Sequence, residues 1–108
     1  MNGPAVACRG EVWLADIEGD KIRPVVVMTR ASIARHLNSV IAAPVTTRIR
    51  GIPTEVPLSK AEGVHRESVA NFDNLRSVDR QRLLRPLGRL GRDKMAQACW
   101  ALRYAVRC

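Results

Sequence analysis

Arg23-Pro-Val-Val-Val-Met-Thr29 is an almost unbroken run of β-branched and apolar residues. That is the pattern of a strand covered on both faces, with no wet side to alternate toward. Pro24 falls near its start, where a missing N–H is tolerated. Upstream, Gly10 supplies a turn signal, and Glu11-Val-Trp-Leu-Ala15 then reads as a first strand. Asp16-Ile-Glu-Gly-Asp-Lys21 is the short polar turn between the two. Downstream, residues 31–38 are of mixed polarity and suit a short helix or a loop. Residues 40–46 form a third strand, in which Pro44 implies an edge or a bulge. Arg48-Ile-Arg-Gly-Ile-Pro53 is a basic loop, residues 54–58 a fourth strand and Ser68-Val-Ala-Asn71 a fifth, short one. Pro86 and Gly88 speak against a helix over residues 83–90, which are assigned as strand. One helix is clear, over residues 93–106: Met95, Cys99, Leu102 and Val106 recur at offsets of four, three and four, giving one apolar stripe. Asp93 in its first turn and Arg103 and Arg107 at its end complement the helix dipole. Many short strands with one terminal helix predict a β-rich α+β domain, barrel-like rather than built of βαβ units.

A length of 108 residues suits a single domain over residues 1–108, and 46% hydrophobic content gives it a core to bury. Its four aromatics, Trp13, Phe72, Trp100 and Tyr104, are too few for a stacking platform of several rings on one sheet face. A net charge of +8 points to a polyanionic partner. The excess lies in the last third: nine basic against two acidic side chains from Arg76 onward, against nine and eight before it. With 15 Arg and 3 Lys beside many Ala, base composition of the genome is a competing explanation, and an acidic protein partner fits as well as nucleic acid. Cys8, Cys99 and Cys108 are odd in number and widely spaced, which suits neither a disulfide framework nor a zinc site and favours a reducing cytoplasm. Met1–Cys8 lacks a charged n-region and an apolar run, and the longest apolar stretch, residues 24–28, is too short to span a bilayer.

Phosphate-cradling glycine loops, the H-E-x-x-H pair and the G-x-S-x-G elbow are all missing from the sequence. His36 and His65 could form an acid–base pair, but no spacing argues for their proximity, and two surface histidines is the better reading. What remains is a set of short segments in order. Arg9-Gly-Glu-Val-Trp-Leu-Ala-Asp16 resembles the R-G-[DE]-[VI]-[WY]-x-[AV]-D opening of MazF/PemK toxins. Arg23-Pro-Val-Val-Val resembles their R-P-x-[VL]-V strand, and Ala43-Pro-Val-Thr-Thr-Arg48, followed by Gly51-Ile-Pro-Thr-Glu-Val56, their P-x-T-[TS] turn. Residues 67–79, with Asp73-Asn74 and Leu75-Arg-Ser-Val78, resemble their apolar strand, acidic–amide pair and [IVL]-[RK]-[ST]-[IV] segment. Single pieces are weak; the ordered set, over about residues 9–106, is specific.

The resemblance implies an SH3-like small barrel of the CcdB/MazF/PemK kind with a C-terminal amphipathic helix. It further implies a homodimer that cuts single-stranded RNA at short motifs, without metal or other cofactor, leaving a 2′,3′-cyclic phosphate and a 5′-hydroxyl. An acidic, MazE-like antitoxin is the implied protein partner, and the cytoplasm the implied compartment. The family's essential Arg falls on Arg23 and its essential Thr/Ser on Thr46. Attack of a 2′-hydroxyl on the neighbouring phosphate loads charge onto the non-bridging oxygens, which a forked guanidinium and a short hydroxyl hydrogen bond can meet. Thr47, Arg48 and Arg50 follow as RNA contacts. Asp73 and Asn74 fall where the family reads bases, since a carboxylate accepts from exocyclic amines and an amide both donates and accepts. The family usually carries a longer loop before its R-P strand; only six residues separate Asp16 from Arg23 here, and Glu18 is the stand-in for that loop's acidic residue.

Plainer readings stand beside these. Arg23 could be a barrel-mouth arginine paired with Asp16 or Asp20, and Thr46 and Thr47 ordinary strand-end residues. Arg48 and Arg50 could lie on a solvated loop, Phe72 in the core, and the basic run from Arg80 to Arg92 on any solvated face or against the antitoxin. Two other functions compete: a CcdB-type gyrase poison acting through its C-terminal helix, for which Trp100 is suggestive, and a non-catalytic SH3-like nucleic-acid binder.

Overall fold

The computed structural model describes residues 7–30 and 38–107. The helix-or-loop segment expected from residue 31, with His36, and residues 1–6 of the region considered for a leader lie outside the described residues. Seven strands are described: β1 (Glu11–Asp16), β2 (Ile22–Val27), β3 (Ser39–Thr46), β4 (Glu55–Leu58), β5 (Ser68–Asn71), β6 (Arg76–Asp79) and β7 (Leu83–Arg89). Short 3₁₀ turns cover Lys60–Glu62, Phe72–Asn74 and Arg80–Arg82, and one helix, α1 (Arg92–Ala105), closes the order. The sheet is antiparallel and runs β4-β5-β3-β2-β1-β7, with β6 paired to β3 beside that path.

The Val25-Val-Val27 run is covered on both faces, as its composition predicts. Val26 joins Val12, Ala43, Phe72 and the helix residues Ala98 and Ala101 in one core. Val25 and Val27 face the other way, into a second core with Trp13, Val40, Val78 and Leu83. A period-2 backbone puts neighbouring residues on opposite faces, so a strand inside two cores must be apolar throughout.

Pro44 corrects the expectation of an edge strand. It is buried in β3, the strand with most partners: residues 39–42 pair with β6, and Val45 and Thr46 pair with β5. Pro44 falls at the changeover between those two neighbours, where a residue without an N–H leaves no ladder bond unmade. β6 was not expected. Arg76-Ser-Val-Asp79 carries one buried residue, Val78, too little for a hydrophobic alternation to register.

The helix turns a slightly different face inward from the one the larger side chains suggest. Ala98 and Ala101 are its buried residues, flanked by Met95, Leu102 and Ala105, whereas Cys99 is half-buried and Val106 is 55% exposed. Alanines let the helix axis approach β4 and the 72–74 turn closely, and that contact fixes the face.

No ladder joins β4 to β7 among the described residues, so the sheet is open in its hydrogen bonding. It curls shut by contact instead. Gly63, at φ +96°, and Gly88 pass so closely that a Cβ on Gly63 would stand 2.2 Å from the Leu87 oxygen, and one on Gly88 2.4 Å from the Glu62 oxygen. Only glycines allow two backbones that approach.

Candidate active site

Arg23 and Thr46 lie on adjacent strands. The β2–β3 ladder pairs Val25 with Pro44; two residues back along β2 and two on along β3 set Arg23 opposite Thr46, on the same sheet face. The two residues line two neighbouring cavities in common, of about 520 and 580 Å³. They form the ridge between them.

The guanidinium of Arg23 is held from two sides. Its Nη1 donates to the Val45 carbonyl at 3.3 Å and its Nη2 to Asp20 Oδ1 at 3.2 Å. Nε stands 3.1 Å from Asp20 Oδ2, an ion-pair approach without the alignment of a hydrogen bond. The expected pairing with an aspartate is therefore present, with Asp20, while Asp16 faces Arg82 at 3.7 Å. Pairing and a role at phosphate are compatible, since a guanidinium carries five N–H donors and the protein's hydrogen bonds engage two. Thr46 Oγ1 accepts the Arg48 N–H at 3.1 Å. With that lone pair committed, the hydroxyl keeps its own hydrogen to donate.

The first cavity gathers most of the expected residues: Arg48, Arg50, Asp73 and Asn74 line it with Arg23 and Thr46, and Asp20, Asn71 and Arg76 join them. Four arginines against two aspartates leave it cationic. Glu55, only 8% exposed, shapes the loop on its rim: one carboxylate oxygen accepts the N–H groups of both Arg50 and Gly51 at 2.9 Å. Thr47 turns to the second cavity, whose rim carries Lys21, His65, Arg66 and Arg85 over Ile22 and Leu87. His65 stays on the surface, as expected, though on this rim.

Glu18 stands apart from the other expected residues. Its side chain is 85% exposed, 4.0 Å from Arg82, and its carbonyl accepts from Arg76. It lines neither cavity shared by Arg23 and Thr46. The turn at Gly19, φ +78°, separates the two acids of the loop, so that Asp20, not Glu18, meets the arginine. The basic run also divides. Arg80 is buried, Arg82 faces Asp16 and Glu18, and Arg85 lines the second cavity. Phe72 is a core residue, 1% exposed. Asn71, Lys21 and Arg66 escaped the sequence reading, because a strand-end Asn reads as a turn former and isolated basic residues read as solvated.

A family of PemK-like, MazF-like toxins of type II toxin–antitoxin systems matches residues 8–106. The chain belongs to that family. This MazF-family toxin is 39% identical over 105 residues to the probable endoribonuclease MazF5 of Mycobacterium tuberculosis, covering 96% of each chain. It is 41% identical over 71 residues to the endoribonuclease MazF3 of the same organism, covering 66% of this chain and 69% of that one. Among solved structures, the M. tuberculosis toxin MazF-mt6 superposes with a TM-score of 0.83 at 34% identity, over 88% of this chain and 94% of the other. A mycobacterial endoribonuclease solved with its cognate antitoxin gives 0.81 at 26% identity, over 93% and 94%. The sheet-plus-helix architecture of the MazF-family toxin is thus the one its relatives share. No helix among its described residues is long and apolar enough to cross a membrane.

Proposed function

We infer that this endoribonuclease toxin cuts single-stranded RNA at the ridge formed by Arg23 and Thr46. The carrying observation is that a guanidinium and a hydroxyl from β2 and β3 share one sheet face between two cationic cavities. A strand laid across the ridge puts one phosphate on the pair and one flanking nucleotide in each cavity. The 2′-oxygen of the upstream ribose bonds to phosphorus and loses its proton; the bond from phosphorus to the 5′-oxygen breaks, and that oxygen takes up a proton. The products are a 2′,3′-cyclic phosphate and a 5′-hydroxyl. Arg23 and Thr46 meet the negative charge that grows on the non-bridging oxygens, with Asp20 holding the guanidinium plane. Arg48 and Arg50 hold phosphates in the first cavity, Thr47 stands at the edge of the second, and Asp73 and Asn74 face a base.

The working unit is a homodimer in the cytoplasm, acting as one single-domain toxin over residues 1–108 and neutralised by an acidic, MazE-like antitoxin lying along the same cationic groove. Relatives solved with antitoxin bound support that partner class. No metal ion is needed, because the nucleophile is internal and Arg23 supplies the positive charge. Purified protein incubated with single-stranded RNA in EDTA is expected to cut it, leaving 5′-hydroxyl ends. Arg23→Ala lowers the rate by on the order of a hundred- to a thousand-fold while the dimer persists by size-exclusion chromatography. Salt-sensitive binding of RNA without cutting would replace this reading with that of a non-catalytic binder.

A further inference from the structure

Two of the four aromatics stand together on the outer face of α1. Trp100 is 55% exposed and Tyr104 44%, and their rings stack with centroids 5.3 Å apart at 26°. The core contact of the helix is carried by Ala98 and Ala101 with Met95, Leu102 and Ala105, and neither ring takes part in it. Arginines border the pair on one flank. At about 100° per residue, Arg103 and Arg92 lie to the same side of Trp100, with Cys99 next beyond them. Arg9 reaches that flank from just before β1, its Nη2 donating to Cys99 Sγ at 3.0 Å. Arg9, Arg89, Arg92 and Cys99 line one cavity of about 470 Å³. Arg9, Arg92 and Arg103 are exposed, and Asp93 is the one acidic residue of the helix. This surface is separate from the ridge. β1 pairs Glu11 with Arg89 and Ala15 with Arg23, so along the sheet the two arginines stand about 13 Å apart, at roughly 3.3 Å per residue.

We propose that the outer face of α1 and the arginine cavity beside it form a second binding site for single-stranded RNA, away from the cleavage ridge. Every nucleotide of an unpaired strand carries a flat base and an anionic phosphate. Bases stack on exposed Trp and Tyr with little regard to sequence, and arginines take the phosphates. The exposure of both rings leaves room for a base to extend the stack they have begun. A second copy of this chain would bring the same arginines face to face, which like charge opposes. An acidic peptide matches the arginines, but its carboxylates do not stack on rings; RNA meets both. Held here and at the ridge together, a long strand is gripped at two points, and the second raises the local concentration of RNA at the first.

The proposal needs the protein to act on RNA but not to cut at the ridge, and its test keeps the two apart. A long 2′-O-methyl strand, which has no attacking hydroxyl, is titrated into the wild type and into Arg23→Ala. Trp100 emission is expected to be quenched in both, with an affinity that falls as salt is raised. The double variant Trp100→Ala, Tyr104→Ala is expected to bind the same strand on the order of tenfold more weakly, read by anisotropy of an end label. In cleavage assays its KM for a long strand rises to match. On an oligonucleotide too short to reach from ridge to helix, its KM and kcat stay at the wild-type values. Trp100→Phe, which keeps a ring to stack on, stays within a few-fold of wild type on both substrates. Thermal unfolding checks each variant, and should the double variant fail to fold, Trp100→Ala alone decides. Unquenched emission, or unchanged affinity and KM for the long strand in a folded variant, overturns the proposal. So does a double variant that falls apart into monomers, which gives the rings to a second copy, or one that loses an acidic peptide while binding RNA as before. A protein that binds and quenches but leaves RNA uncut overturns the ridge reading and leaves this one standing.

Discussion

The hydroxyl of Thr46 has two directions to satisfy. Its oxygen takes the Arg48 N–H at 3.1 Å, and its hydrogen is left to donate, in the proposed site to a phosphate on the neighbouring arginine. Thr46→Val removes both bonds while nearly keeping the shape, and lowers the cleavage rate by on the order of a hundred-fold or more. Thr46→Ser keeps both and stays within about tenfold of wild type, read from initial rates on one short oligonucleotide. At this scale the resemblance carried by R-P-V-V-V and P-V-T-T points to Arg23 and Thr46, and the strand register sets the two side by side. The sequence left the partner carboxylate open between Asp16 and Asp20, and the structure selects Asp20. Glu18 and Asp20 are two residues apart, and only the left-handed turn at Gly19 separates their surroundings.

Among the elements, the loop from β3 to β4 is held by one buried carboxylate. Glu55 accepts two backbone N–H groups at 2.9 Å, which ties Arg50 and Gly51 to the start of β4, and its other oxygen is buried with no partner. A single oxygen does the holding, so Glu55→Gln, with a neutral amide oxygen in that place, keeps the loop. Glu55→Ala loses two charge-assisted bonds, each worth about 1.5–3 kcal/mol at most. The expected result is faster trypsin cleavage after Arg48 and Arg50, and an RNA KM raised several-fold with kcat less affected. Even the four-residue β4 and β5 were legible here, and of the described strands only β6 was not. The triple-valine strand and the closing helix announce themselves by composition, whereas β6 contributes a single buried valine. The inward face of the helix was displaced because sequence patterns weigh Cys99 and Val106 above alanines. Close packing favours the smaller residues.

Across the whole molecule, the curl that sets two cavities side by side depends on the contact between Gly63 and Gly88. Gly88→Ala places a methyl group 2.4 Å from the Glu62 oxygen, a backbone atom that cannot swing aside. Overpacking of this kind costs about 1–3 kcal/mol, which lowers the melting temperature of a domain this size by roughly 5–15 °C; calorimetry checks it. A barrel-like outline was legible from the count of short strands. That its closure is a contact of two backbones, and not a ladder, was not, because Gly63 and Gly88 stand 25 residues apart and each reads alone as a loop or a strand defect. The same holds for the ridge. Arg23 and Thr46 meet through a register that hydrophobic pattern constrains only to one face in two.

Trp13 and Trp100 occupy opposite kinds of place. Trp13 is closed into the second core, its indole N–H donating to Glu11, and Trp100 is 55% exposed on the helix, stacked on Tyr104 at 5.3 Å. The molecule therefore emits fluorescence from two indoles of different colour. A dissolved quencher such as iodide reaches the outer one and leaves the inner one bright. Docking of any protein on the helix would dim or shift the accessible signal alone, while loss of the fold would change the shielded one, so both events can be watched in one cuvette without a label.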